Sequence, residues 1–359
     1  MSTRCSVLEV NLDNFLFNVD SIKKYIGKDI MIMPVIKANA YGTYINKRLD
    51  IINRFDIVAV ALIKEAVDLR ELGYEKEIFV LNQPYLEDID DIIKYDITIG
   101  ISDKDFVLEL GKRKENVKVH IEIDSGMGRT GVLELSSFID EVRKCSNIKV
   151  EGIYTHLSSA DSDYSYTDKQ LDIFERCILE AKKYFDLKYI HSSASNGLLN
   201  FKSSYCNLVR PGIILYGYES FDGAKKLLDL KPVCKLKSKI TFLKEVEEGT
   251  SISYSRSYIT NKKTKVATIP LGYADGIRRS LSNKGFVVIN NSLAPIIGNI
   301  CMDSFMIDVT GLDVNVSDDI YIFDNENIKV EDIASIYETI NYEVISTIAD
   351  RVPRLFIGG

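Results

Sequence analysis

The 359-residue chain is most easily approached through what it lacks. It has no apolar run approaching the ~20 residues needed to span a membrane. Its first fifteen residues, MSTRCSVLEVNLDNF, contain no continuous apolar stretch of the kind a secretory leader carries, so a cytoplasmic protein is expected. The six cysteines, Cys5, Cys145, Cys177, Cys206, Cys234 and Cys301, are scattered and form no C-x-x-C pair. They are expected to be reduced core thiols, with no metal site. No basic stripe or Lys/Arg cluster breaks the even mixture of charges behind the net −7, which sets nucleic acid aside as a partner. There is no low-complexity segment, and histidine is scarce: His120, His156 and His191 are all there are.

What is present suits a large core, since 46% of residues are hydrophobic against 27% charged. At this length one large domain plus a smaller one is expected. Eight apolar, β-rich runs recur between residues 31 and 217: IMPVIKA (32–38), IVAVAL (57–62), IFVLNQ (78–83), ITIGIS (97–102), VKVHIEID (117–124), EGIYTHLS (151–158), YIHSSAS (189–195) and LVRPGIILYG (208–217). Helix-length segments separate them, and LDIFERCILEAKKYF (171–185) carries apolar residues at 3/4 spacing. Short hydrophobic strands alternating with helices predict a parallel sheet covered on both faces. Eight such units predict a (β/α)8 TIM-type barrel. A doubly wound open sheet is the alternative, but no G-x-G-x-x-G follows the first strand. After about residue 226 the texture changes to strands punctuated by Gly- and Asn-rich turns, with one helix over 329–340. The expected domains are therefore a barrel over 1–225 and a mainly β domain over 226–359.

The stretch MPVIKANAYG (33–42) runs an apolar strand into Lys37. Either the stem snorkels and keeps its charge in water, or the amine is held in a dry site where it becomes a nucleophile or base. Lys37 ends the first barrel strand, and strand C-terminal ends form the face where barrels carry active sites. The three histidines fall in strands too. Arg129 lies in the glycine-rich loop DSGMGRTG after the fifth strand, and Arg210 within the eighth. Several polar groups converging from different strands onto one face point to a functional site.

The segments VIKANAYG, IDSGMGRTG, YTHLSSAD, VRPGIILYG, ISYSRSY, GYADG, NICMDSFM and INYEV resemble, in order, the motifs of alanine racemases. These are pyridoxal-phosphate enzymes built of a barrel and a β domain, and the resemblance runs from residue 9 to residue 356. It implies a cytoplasmic homodimer that interconverts L- and D-alanine and so supplies D-alanine for cell-wall synthesis. Lys37 would form the Schiff base with the cofactor and, once released, act as one of two proton-transfer bases. Tyr254, reaching in from the second subunit, would be the other. A phenol with an ordinary pKa near ~10 needs help in that role, and the resemblance assigns the help to His156 and Arg210. Arg210 would also face the cofactor's ring nitrogen. Tyr41, Ser195, the amides of Gly212 and Ile213, and Tyr342 would hold the phosphate. Arg129 would hold the substrate carboxylate with the Met302 amide of the other subunit, while Tyr273, Arg279 and Asp161 would line the approach.

This sequence departs from the family pattern in three places. Many members carry a lysine, carbamylated by carbon dioxide, where this chain has Glu122; a glutamate supplies a similar negative group beside Arg129. Ala194 replaces an asparagine, and Asn299 replaces an arginine on the approach. Other readings remain at this stage. A non-catalytic pyridoxal-phosphate-binding regulator would resemble the barrel half alone. A decarboxylase of related architecture would carry a cysteine-containing substrate motif near the end of the chain, and none is found. A serine or broad-specificity racemase stays open, because an added hydroxyl in a small pocket is discriminated only weakly.

Overall fold

Strands buried at every position, such as Ile57–Val60 and Thr98–Ile101, require cover on both faces, and a helix-wrapped parallel sheet provides it. The structure is a computed structural model that describes residues 4–201, 204–221 and 223–359. It divides into two compact units, one spanning Phe15–Ala40 and Ile45–Lys231, the other holding the segment through Asn14, Tyr41–Tyr44 and Pro232–Gly359.

The first unit is the barrel. Its strands are β1 (Met31–Ile32), β2 (Ile57–Val60), β3 (Glu77–Val80), β4 (Thr98–Ile101), β5 (Val117–Glu122), β6 (Ile148–Tyr154), β7 (Tyr189–His191) and β8 (Leu208–Val209). β2 to β7 form one parallel sheet in sequence order, and β1 pairs with β8 in parallel, Met31 opposite Leu208. Backbone hydrogen bonds join the two sheets at both edges. Ala59 N donates to Pro34 O and Ile36 N to Ala59 O, both at 2.8 Å, on one side; Asn207 N donates to Ile190 O at 3.1 Å and Arg210 N to Ser193 O at 2.9 Å on the other. The ring therefore closes, and the open-sheet alternative falls. The helix predicted over 171–185 spans Tyr164–Ala181; Asp163 caps its start by accepting from Tyr166 N at 3.0 Å.

Two runs expected as strands are shorter than their hydrophobicity suggested. The first ends as a strand at Ile32, and after it only Val35 bridges Ala59 before the chain turns at Lys37. The eighth stops at Val209, since Pro211 has no N–H for a ladder, and Ile213–Tyr216 form a 3-10 turn instead. Arg210 consequently follows β8 rather than sitting within it.

The second unit is built on a nine-stranded sheet in the order Phe242–Val246, Thr264–Ile269, Phe305–Asp308, Ser292–Ile297, Phe286–Ile289, Asp319–Phe323, Cys234–Lys239, Val7–Asn11, Arg354–Ile357. Pairing is antiparallel except between the last two strands. The sequence pattern set the boundary at 225/226. The observed units divide at Lys231/Pro232, and the N-terminal segment joins the β unit because Val7–Asn11 pairs with Cys234–Lys239. The helix expected over 329–340 spans Val330–Tyr337 and ends where Glu338 turns left-handed at φ 54°; a second helix, Asn341–Ser346, follows beyond the expected range. The cysteines are free thiols, but only Cys145 and Cys234 are buried; the other four are half-buried. Among the described residues no helix is long and apolar enough to cross a membrane.

Candidate active site

Lys37 follows the end of β1, where the chain abandons the strand for an unusual conformation. Ala38, Asn39, Ala40 and Tyr41 have φ of 52°, 53°, 53° and 56°, a left-handed turn of four non-glycine residues. Each such residue costs roughly 1–2 kcal/mol relative to the right-handed form. Strain of this kind persists only where surrounding structure holds it, and it concentrates at functional sites. Burial pulls the Lys37 ammonium below its ordinary pKa; the positive charges of Arg129 and Arg210 add to this and Glu65 opposes it. Lys37 is half-buried, and its amine is partly withdrawn from water at the barrel mouth.

Arg210, 2% exposed, is the hub of the barrel mouth. Its Nη1 donates to His191 Nδ1 at 2.6 Å and to His191 O at 3.0 Å. Its Nη2 donates to Thr155 O at 2.8 Å, Ser192 O at 3.1 Å and His156 Nδ1 at 3.4 Å. A guanidinium has only donors, so both imidazole Nδ1 atoms must accept. His191 then carries its proton on Nε2 and passes that N–H to His120 Nδ1, 2.9 Å away. The proton of His120 is left on Nε2, a buried atom with no partner among the described residues. Burial, followed by Arg210, pulls His120 and His156 down to about 3 and His191 well below its ordinary value. All three rings are neutral at neutral pH, and His156 offers an N–H from Nε2. Burial also lowers Arg210 itself to about 10, which leaves it charged. Gly152 makes room for this assembly: a Cβ there would sit 2.7 Å from the His120 ring.

Glu122 closes β5 at 3% exposure, with Oε1 4.0 Å from Arg129 Nη2. Burial raises its pKa, while Thr130, Arg129 and Tyr154 act the other way. Ser195 opens the helix Ser195–Asn200, and its Oγ accepts from Gly212 N at 3.1 Å just before Ile213 begins the 3-10 turn. Lys37, Glu122, Arg129, His156, Ser195, Arg210, Gly212 and Ile213 are thus gathered at the C-terminal ends of the barrel strands. Asp161 is exposed in the same unit.

The remaining expected residues belong to the β unit. Tyr41 and Tyr342 pack ring against ring with centroids 6.1 Å apart; burial, then Tyr342, raises the Tyr41 phenol. Tyr254 is 69% exposed on a strained turn in which Ser253, Ser255 and Arg256 have φ of 64°, 60° and 51°. It shares a hollow with Met302, Cys301 and Ser304. Two reciprocal bonds brace the turn: Ser253 Oγ donates to Asn299 O at 2.5 Å, and Asn299 Nδ2 donates to Tyr254 O at 2.9 Å. Gly298, at φ +76°, allows this approach, since a Cβ there would meet Ser253 Cβ at 2.7 Å. Tyr273 and Arg279 line a second hollow with Arg278 and Thr347.

Comparison with known proteins identifies the family. The family model for "Alanine racemase, N-terminal domain" matches residues 10–220, and that for "Alanine racemase, C-terminal domain" matches 233–356. The chain belongs to the alanine racemase family. An alanine racemase of Halothermothrix orenii is 41% identical across 99% of both chains. Among solved structures, the racemase of Clostridium difficile 630 superposes with a TM-score of 0.93 at 36% identity, covering 99% of this chain and 97% of the other. That of Bacillus anthracis with bound L-Ala-P gives 0.94 at 34%, covering 100% and 96%.

Membership in this racemase family implies pyridoxal phosphate, and the barrel's donor set suits it. An amine with a lowered pKa answers the aldehyde, a buried guanidinium answers a ring nitrogen, and the Ser195 hydroxyl with the Gly212 amide answers a phosphate. The site also uses residues that motif matching left without a role: His191 and His120 behind Arg210, Glu65 beside Lys37, and the Asn299 side chain beneath Tyr254. For the histidines a signal existed in the sequence, because all three of so scarce a residue fall in runs expected as barrel strands, although His156 lies just past the end of β6.

Proposed function

We propose that this protein racemises alanine with pyridoxal phosphate, using Lys37 and Tyr254 as bases on opposite faces of the substrate α-carbon. Bound cofactor supplies the electron sink that makes an amino acid's α-proton removable. The protein's residues then move and hold protons. The lowered pKa of Lys37 suits Nζ to taking the α-proton on one face and returning it. On the other face the acceptor is the phenol oxygen of Tyr254 of the partner subunit. The high exposure of Tyr254 and Met302, 69% and 53%, supports a homodimer in which both enter a neighbour's site. His156 donates its Nε2 N–H to that phenol oxygen, while Arg210 holds His156 Nδ1.

Arg210 would pair with the cofactor's ring nitrogen; a guanidinium holds its proton far more tightly than a pyridine nitrogen does, so that nitrogen would stay unprotonated and the electron sink weak, which favours returning the proton to carbon over transamination. Ser195 and the amides of Gly212 and Ile213 would hold the phosphate, and the hydroxyls of Tyr41 and Tyr342 are the further donors the family resemblance assigns to it. Arg129, flanked by Glu122, holds the substrate carboxylate with the partner subunit's Met302 amide. The product, D-alanine, feeds cell-wall synthesis.

The observation that carries this reading is the Arg210 hub, a buried cation that holds His156 Nδ1 at 3.4 Å and, with Arg129 and burial, disfavours the charged form of Lys37. Steady-state kinetics on L-alanine, L-serine and L-lysine test it. Tyr254 and Tyr342 wall the space beside the α-carbon, and each methylene beyond a methyl costs about 1–3 kcal/mol of overpacking, roughly 5- to 150-fold in kcat/KM. Alanine is expected to lead. Serine or lysine equal to or above alanine overturns the substrate assignment.

A further inference from the structure

Lys37 is bracketed by two anchors that lie on one stretch of chain. Before it, Ile36 N donates to Ala59 O at 2.8 Å, the last backbone bond from the segment after β1 to β2. After it, Ala38 N donates to Glu65 Oε1 at 2.5 Å. The other oxygen of the same carboxylate accepts from Ala61 N at 2.8 Å and Leu62 N at 3.1 Å, which fixes it to the start of the helix Ile63–Leu72. A glutamate in a first helical turn commonly reaches back to amides just before the helix. The two bonds on Oε2 are that arrangement. The bond to Ala38 is not: it crosses to another loop, is the shortest of the three, and falls on the first residue of the strained left-handed turn.

We propose that Glu65 is a positioning residue whose carboxylate clamps the turn after Lys37 to the second β/α unit and so fixes where Lys37 presents its amine. This rests on the reading of Lys37 as the cofactor-bearing amine. A turn held against its backbone preference relaxes when a brace is removed, and the amine moves with it. Glu65 has an electrostatic side as well. Arg129 and Arg210 drive Lys37 toward its neutral form, His156 beside it is uncharged, and Glu65 is the anion that opposes them.

Glu65→Gln is the discriminating variant. Its one carbonyl oxygen can serve Ala38 or the Ala61/Leu62 pair, not both, and the charge is gone. In cofactor-free protein, the pH dependence of Lys37 modification by trinitrobenzenesulfonate, read by peptide mapping, is expected to shift downward by roughly half a unit to one unit. Pyridoxal phosphate binding, read by absorbance, is expected to weaken about tenfold. In the loaded enzyme kcat falls more than KM for alanine rises. Glu65→Asp restores the charge but not the reach, so it recovers the modification profile while binding stays weak. A Gln variant within twofold of wild type in cofactor affinity and kcat, with an unshifted profile, overturns the proposal and leaves Glu65 a helix cap. Should the variants fail to fold, amide exchange in the wild type decides: Ala38 N–H is protected if clamped, and exchange at the open-chain rate overturns the clamp. Borohydride trapping of the loaded wild type tests the underlying reading separately. A phosphopyridoxyl group on a lysine other than Lys37 sinks that reading, whatever Ala38 exchange shows.

Discussion

Arg210 Nη1 lies 2.6 Å from His191 Nδ1, and this contact fixes the protonation of the buried histidine pair behind it. Because the guanidinium only donates, His191 and His120 are each held as the Nε2–H tautomer. An imidazolium at either position would place a donor against a donor beside a buried cation.

Stability should therefore fall with acid in a window set by these rings. The ordinary histidine value is 6.5, and the folded values are about 3 for His120 and His156 and well below 6.5 for His191. The unfolded chain takes up protons below 6.5 that the folded chain refuses, so stability is fullest above 6.5 and is lost as pH falls toward about 3. At pH 5 the fully buried His120 alone costs about 2 kcal/mol. Urea titrations of cofactor-free protein at pH 7.5 and pH 5 measure it. In His120→Phe the loss between the two pH values should shrink by about one ring's share; an unchanged loss contradicts the neutral-pair account.

Glu122 carries the opposite sign. Burial raises its folded pKa, so the contribution it makes is present at low pH and lost as pH rises through that value, and its ionised form is a burden at neutral pH. Glu122→Gln should raise the urea midpoint at pH 7.5 while raising KM for alanine several-fold, because Arg129 at 4.0 Å loses its anion. Cofactor affinity should not change. Wild-type activity should be indifferent to dissolved carbon dioxide, and bicarbonate should rescue Glu122→Lys. A Gln variant with unaltered KM refutes the role.

Asn299 stands where the family resemblance led us to expect an arginine on the approach, yet its amide supports Tyr254 O at 2.9 Å. Asn299→Ala removes one hydrogen bond, about 0.5–1.5 kcal/mol, from a turn already strained at Ser253 and Ser255. We expect a fall in kcat of roughly 2- to 13-fold by the same conversion, with pyridoxal phosphate binding unchanged. Intact kcat would show that the turn needs no such brace.

The barrel was legible in the sequence because alternation of buried strands and helices is a local pattern, and the eight runs mark β1 to β8. Their ends were not. Hydrophobicity continues from Ile32 to Ile36 and from Pro211 through Tyr216 after the strands have ended, while the backbone turns left-handed after Lys37 in one case and forms a 3-10 turn after Pro211 in the other. The strand Val7–Asn11 escaped notice because its partners, Cys234–Lys239 and Arg354–Ile357, lie more than two hundred residues away. Lys37, Arg210, His156 and Tyr254 stood out through motifs. Glu65, His191 and the Asn299 amide did not, since each acts by a hydrogen bond to a residue remote in sequence.

The central claim is that two bases, Lys37 and Tyr254, serve opposite faces of one α-carbon. Tyr254→Phe keeps the ring and removes only the proton-accepting oxygen. With the variant in deuterated water, α-hydrogen exchange is followed separately for L- and D-alanine by mass spectrometry. The account predicts that exchange is abolished on one enantiomer and remains measurable on the other through Lys37. Equal loss on both contradicts it.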